Sequence, residues 1–152
     1  MPTLERERFD RLLAVLDELV DANTDAPILV EGPRDVAALR ALGCAGVVTA
    51  VNRGVSLVSL CESVAAAAPR RVILLTDWDR RGERLVEDLS RLLFANGARV
   101  DRAYRDRIRS NLDTGVNDVE ALSAYVGTRV DAYFGLTLAE RRGGVAPRHI
   151  SL

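Results

Sequence analysis

Glu31, Asp77 and Asp79 are the residues of this chain whose type and spacing could do chemistry. Glu31 directly follows the apolar run Ile28-Leu29-Val30, and Asp77 and Asp79 follow Val72-Ile73-Leu74-Leu75-Thr76. Residues two apart in an extended chain point to the same side, roughly 6–7 Å apart along it. Carboxylates that close repel, and one of them tends to hold a proton. A hard divalent cation removes that conflict, because it prefers oxygen ligands, and Mg²⁺ would keep waters and accept phosphate oxygens as well. Each acid also has an ordinary role open to it. Asp79 can cap a helix, Asp77 can start a turn, and Glu31 can be a polar strand end.

The elements that must position these acids follow from apolar periodicity. Phe9, Leu12, Leu13, Leu16, Leu19 and Val20 recur at helical spacing, which predicts a helix over 3–22. A buried strand is expected at 28–30, then a helix over 33–42 with Pro33 at its first position and Gly43 at its end. The β-branched run 47–51 reads as a second strand, Asn52-Arg53-Gly54 as a turn, and 55–67 as a helix stopped by Pro69. A third strand is expected at 72–76, a helix over 80–95 closed by Asn96-Gly97, and a fourth strand over 99–104. Residues 117–125 and 136–142 read as further helices, with a loose tail from Gly143. Strand–helix units with short connections predict an α/β fold: a mostly parallel sheet of about four strands with helices on both faces. In such sheets, ligands bind beyond the carboxyl ends of the strands, where the acids lie. One domain spanning 1–152 is expected, with a core at 27–100, an N-terminal helix in 1–26 and a helical extension over 101–152.

Composition narrows the function class. With 21 basic and 22 acidic residues, the net charge of −1 gives no whole-molecule pull toward a polyanion. Every basic residue except His149 is arginine, so phosphate contacts would use a guanidinium that grips two oxygens. Residues 80–109 hold nine arginines against five acids, the best candidate for a polyanion-facing surface. Within it, Arg102, Arg105, Arg107 and Arg109 are interleaved with Asp101 and Asp106, which favours a solvated face. Cys44 and Cys61, with one histidine, cannot build the four-ligand shell of structural zinc, and they read as small core residues. No apolar run nears the ~20 residues of a membrane span, and the charged N-terminus lacks a signal peptide's apolar core, so a cytoplasmic location is expected. His149 reads as a surface residue of the tail, Tyr104, Tyr125 and Tyr133 as packing residues, and Trp78 as facing away from the two flanking aspartates.

The segments carrying the acids resemble a known family. Glu31-Gly32-Pro33-Arg34-Asp35 resembles the first motif of Toprim domains, an apolar strand ending in Glu-Gly with Asp three residues beyond the glycine. Asp77-Trp78-Asp79-Arg80-Arg81-Gly82-Glu83 resembles the second, Asp-x-Asp followed by Gly and Glu, and Asn52-Arg53-Gly54 resembles the glycine turn between them. The resemblance covers roughly residues 27–100 and implies a compact Rossmann-like fold. It also implies that Glu31 acts as general acid or base while Asp77 and Asp79, joined by Glu31, hold Mg²⁺, with Mn²⁺ as a substitute. Gly32 would let a phosphate or metal approach the backbone. Arg34, Arg53, Gly54, Arg80 and Arg81 become candidates to meet phosphate, and Asp35, Gly82 and Glu83 candidates to support the site. Glu83 would either hold a metal-bound water or pair with an arginine. There are departures. Pro33 stands where the small Toprim nucleases carry Lys, and Arg81 where type IA topoisomerases carry a third acid. With two cysteines and one histidine, a primase-type zinc-binding domain is not expected within these residues. The chain thus resembles the small stand-alone Toprim proteins of archaea and bacteria, with the ribosomal-RNA maturation nuclease nearest in size and layout among characterised relatives.

The resemblance implies Mg²⁺-dependent phosphodiester chemistry on RNA or DNA, with no membrane partner. The alternative it leaves open is a non-catalytic metal- and nucleic-acid-binding module within a larger processing assembly that includes a protein partner. A plain nucleotide-binding α/β domain is a third possibility. It predicts mononucleotide binding that survives loss of Asp79, and no Gly-x-Gly-x-x-Gly or phosphate-loop motif supports it.

Overall fold

The computed structural model describes residues 3–143. Its elements run α1 (Leu4–Ala22), β1 (Ile28–Val30), α2 (Pro33–Leu42), β2 (Val48–Ala50), α3 (Leu57–Ala66), β3 (Val72–Leu74), α4 (Arg80–Ala95), β4 (Val100–Asp101), α5 (Ala103–Ser110), α6 (Leu122–Phe134) and α7 (Leu138–Arg142). The four strands form one sheet in the order β2-β1-β3-β4, and every pairing is parallel.

Alternation along the strands sorts the core into two layers. Ile28, Val30, Ile73 and Leu75 face one side, where α1, α2, α5 and α6 bury Leu12, Leu19, Leu39, Ile108, Leu122 and Val130 against them. Leu29, Val72 and Leu74 face the other, covered by Leu60 and Cys61 of α3 and Val86, Leu89 and Leu93 of α4. The fold is thus an α/β, Rossmann-like sheet covered on both faces. The crossover from β1 to β2 runs one way along the sheet, and those from β2 to β3 and from β3 to β4 run the other. Crossovers of one hand therefore put α2 on one face and α3 and α4 on the opposite one. The chain reverses direction between β1 and β3, the strands whose ends carry the acids. A crevice opens at such a reversal because the following helices peel off to opposite faces.

Local signals placed most helix ends. Thr3 caps α1 by accepting from the Arg6 N–H, and Gly43, at φ 112°, closes α2 in the left-handed conformation. Two expectations needed correction. The strand expected over 99–104 is only Val100–Asp101, because Asp101 Oδ1 accepts the Ala103 N–H at 2.9 Å and starts α5. The helix expected over 117–125 begins at Leu122 and runs to Phe134, since the preceding residues are held in turns by contacts described below. Cys44 and Cys61 are buried free thiols, and burial pushes Cys44 up to about 11. Tyr104 lies in the core and Tyr133 packs on Phe9 with ring centroids 5.4 Å apart. No described helix is long and apolar enough to cross a membrane. The expectations for His149 and for the tail beyond Gly143 concern positions outside the described residues.

Candidate functional site

Glu31 and Asp77 meet at the switch point. They are 46 positions apart in sequence, yet Glu31 Oε2 accepts the Asp77 backbone N–H at 2.8 Å. The parallel pairing of β1 with β3 brings both strand ends to the same edge. Asp77 Oδ1 in turn accepts the Val119 N–H at 2.9 Å, which pulls the 111–121 segment over the carboxyl end of the sheet. The Trp78 N–H donates to Asn117 O at 2.8 Å and fixes the same segment from its other side. The Trp78 ring packs on the core and its Nε1 donates to Arg105 O, so it faces away from the acids.

A cleft of about 340 Å³ lies against this pair, bordered by Gly32, Asp35, Asn52 and Arg81 and by Asp118 and Glu120 of the overlying segment. Five carboxylates thus face one small space. Burial, opposed by the Val119 hydrogen bond and reinforced by the charges of Glu31 and Asp35, pushes Asp77 up to about 7. Asp35 is raised too, first by burial and then by Glu31, Glu120 and Asp118, while the Gly32 N–H bound to its Oδ2 at 3.0 Å opposes the shift. The cationic counterweight is slight. Arg81 Nε stands 3.9 Å from Glu31 Oε1 and Arg34 Nη1 stands 3.5 Å from Glu120, and both arginines are mostly exposed. Exposed pairs of this kind contribute little.

The other motif residues divide into scaffolding and surface. Asp79 is exposed and caps α4, its Oδ1 accepting the Gly82 N–H at 2.7 Å. It does not line the cleft. Gly82 is there for space: a Cβ on it would lie 1.9 Å from Asp77 O, so only glycine lets α4 pack on the 76–79 turn. Thr76, fully buried, donates to Gly82 O at 2.8 Å and locks the same contact. The space above Gly32 is open, leaving its backbone approachable from the cleft. Gly54 adopts φ 77°, the left-handed value its turn requires. Arg53 and Arg80 are exposed beside the motifs. Glu83 pairs with Arg105, on α5, at 2.8 Å.

Three contributors lay outside the motifs. Arg105 is a buried cation whose Nε donates to Thr76 O at 3.0 Å and whose Nη2 donates to Asp77 O at 2.5 Å. It holds the β3 end in place from below, where the alternating charges of 101–109 had favoured a solvated face. Asp118 and Glu120 reach the cleft through a turn that carries no motif. The helical spacing of the core residues Tyr104 and Ile108, with Arg105 one turn before Ile108, was the local sign that part of 102–109 turns inward.

The donor set is all carboxylate oxygen, the chemistry that suits a hard cation. Among the described residues, no group of three or more His, Cys, Asp and Glu side chains is gathered closely enough to hold a metal ion. A pair such as Glu31 and Asp77 still fits Mg²⁺, which is commonly held by one or two carboxylates with water and substrate phosphate completing its shell.

The Toprim domain family model matches residues 26–108. The chain is 33% identical over 124 residues to a UPF0292 protein of Methanocaldococcus jannaschii, covering 82% of this chain and 96% of that one. It is 35% identical over 122 residues to a UPF0292 protein of Methanosarcina barkeri, covering 80% and 84%. A solved structure of an Aquifex aeolicus protein superposes with a TM-score of 0.61 at 28% identity, covering 70% of this chain and 94% of that one.

Proposed function

Because the chain belongs to the Toprim domain family, whose members carry out metal-dependent work on nucleic acid, we propose that it is a small Mg²⁺-dependent enzyme of phosphodiester chemistry on RNA or DNA, most simply an endonuclease. The observation that carries this reading is the convergence of Glu31 and Asp77 at the β1/β3 switch point, joined by the 2.8 Å contact. When bound there, a divalent cation supplies polarisation of the scissile phosphate and acidification of a bound water. Asp77, held by Val119, and Glu31 would provide the inner carboxylates. Asp79 would contribute only from outside the cleft, since its Oδ1 is engaged by the cap of α4. Glu31 would move the proton between nucleophile or leaving group and solvent, a role worth about 10²–10⁴-fold. Open space above Gly32 admits a phosphate oxygen, and Arg34 and Arg81 can swing their exposed guanidinium groups onto it.

A second reading, a non-catalytic module that binds metal and nucleic acid inside a processing assembly with a protein partner, draws support from the cap role of Asp79. One experiment separates the two. Purified protein is incubated with structured RNA and DNA substrates in Mg²⁺ or Mn²⁺. The enzyme reading expects metal-dependent cleavage that Asp77→Asn and Glu31→Gln abolish. Binding without cleavage across all substrates and both metals would leave only the module.

A further inference from the structure

A second cleft of about 460 Å³ opens on the other side of Glu31, and more aliphatic side chains line it than line the first. Its lining is mixed: Val51, Val55, Leu57 and Leu85 supply aliphatic surface, while Glu31, Asn52, Arg81, Arg84 and Asp88 supply polar surface. Val55 is 52% exposed. Arg81 and Arg84 stand on its α4 rim. Arg84 is exposed and has no ion-pair partner among the described residues. The single acid on the far rim, Asp88, is engaged by Arg91. Glu31, Asn52 and Arg81 border both clefts, so one ligand can occupy the two together. The Asn52 N–H is anchored to Glu31 O at 3.0 Å, while its side-chain amide is exposed on the shared rim with donor and acceptor free.

The ligand that fits this pair of clefts must carry an anionic, metal-seeking group at one end. At the other it needs a flat, largely apolar body with polar edges, about one ring system in size, flanked by further negative charge for the arginines. A nucleotide within a strand has all of these features. We propose that this second cleft is a base pocket, taking one unpaired nucleobase next to the phosphodiester held at Glu31 and Asp77, so that the substrate is single-stranded or locally unpaired at the reacting position. This rests on the function proposed above and adds the substrate class to it. A paired base cannot enter, because its faces are stacked and its edge is occupied within the duplex. Val55, Leu57 and Leu85 would cover the base, Asn52 would meet its edge, and Arg84 would meet the next phosphate. The volume falls within the roughly 300–1,000 Å³ of small-ligand sites, too small for a duplex.

The test is fluorescence anisotropy with end-labelled 20-mers in Ca²⁺, using RNA and DNA single strands, the matching duplexes, and a DNA strand with abasic sites through its central third. The base pocket predicts that intact single strands bind about tenfold more tightly than the duplex or the abasic strand, equal to about 1.4 kcal/mol. Val55→Glu, a change at an exposed position, should shrink that preference to within about twofold, less than about 0.4 kcal/mol, whereas Arg84→Ala, which removes a phosphate contact common to all probes, should weaken every probe alike. RNA and DNA arms that differ identify the sugar the site prefers, with the preference for unpaired bases expected in both. Equal affinity for intact, abasic and duplex probes overturns the proposal, as does a preference that Val55→Glu retains. The two readings fail separately. Base-dependent binding with no metal-dependent cleavage removes the enzyme and keeps the pocket, while cleavage that is lost in Asp77→Asn but indifferent to base pairing removes the pocket and keeps the enzyme.

Discussion

Replacing Asp77 with asparagine should stabilise the metal-free protein at alkaline pH while disabling the site. Asp77 rises from 3.8 to about 7, first because it is buried and then because Glu31 and Asp35 share its space. Below pH 4 the carboxyl is protonated whether the chain is folded or not, and it costs nothing. Between pH 4 and 7 the unfolded chain releases the proton and the folded one keeps it, so stability falls as pH rises. Above pH 7 both forms are ionised and the loss is constant. At 1.36 kcal/mol per pH unit, a fully shielded group would lose about 4 kcal/mol across that window. Asp77 borders an open cleft, and solvent screening reduces the expected loss to about 1–2 kcal/mol. Asparagine is nearly isosteric, its Oδ1 can still accept from Val119, and its amide can donate to Glu31. The measurement is urea unfolding of parent and Asp77→Asn in EDTA at pH 5 and pH 8, extrapolated linearly. The variant should gain on the parent from pH 5 to pH 8 and be the more stable of the two at pH 8. Mg²⁺ at a hundredfold excess over its Kd should then raise the parent by about 2.7 kcal/mol and leave the variant unmoved. A variant less stable than the parent at pH 8, or an advantage that shrinks as pH rises, would refute the account of a carboxylate burdened first by burial and then by its acidic neighbours.

Further predictions concern the residues that hold the pair in place. Asp79→Ala should lose about 1 kcal/mol of stability through its helix cap, and Asp79→Asn only a few tenths, by urea unfolding. In calorimetry, Mn²⁺ affinity should drop less for Asp79→Asn than for Asp77→Asn, because the inner pair survives. Arg105→Met should cost about 2–4 kcal/mol by leaving the Thr76 and Asp77 carbonyls without their charged donor, and Arg105→Lys should recover only part, since an ammonium cannot span both. Gly82→Ala should lower the melting temperature by about 2–12 °C, given a Cβ 1.9 Å from Asp77 O, an overpacking cost of about 1–3 kcal/mol and a shift of about 2–4 °C per kcal/mol. An unchanged melting temperature would mean that α4 does not press on the turn.

What could be read from the sequence was what neighbouring residues decide. Pro33 and Gly43 bound α2 where they stand, because proline fits a first helical position and glycine takes the left-handed exit at little cost. The apolar runs 28–30 and 72–76 pointed to β1 and β3, the second of which the structure ends at Leu74, and the Asp-x-Asp and Glu-Gly motifs marked which strand ends carry acids. Even the capping role of Asp79 was among the readings open from its position. The tertiary structure alone decided which of those acids meet. Strand order sets whether Glu31 and Asp77 are neighbours, and strand order comes from burying both sheet faces at once, a property no local window contains. The same holds for Arg105, whose charge suggested solvent. Its placement beneath the β3 end depends on α5 packing on α1 and β3, so that two carbonyls and Glu83 can take up its donors in place of water. Asp118 and Glu120 enter the cleft because Val119 and Asn117 bond to the Asp77-Trp78 turn. That link joins residues some forty positions apart, and only a folded chain brings them within hydrogen-bonding reach.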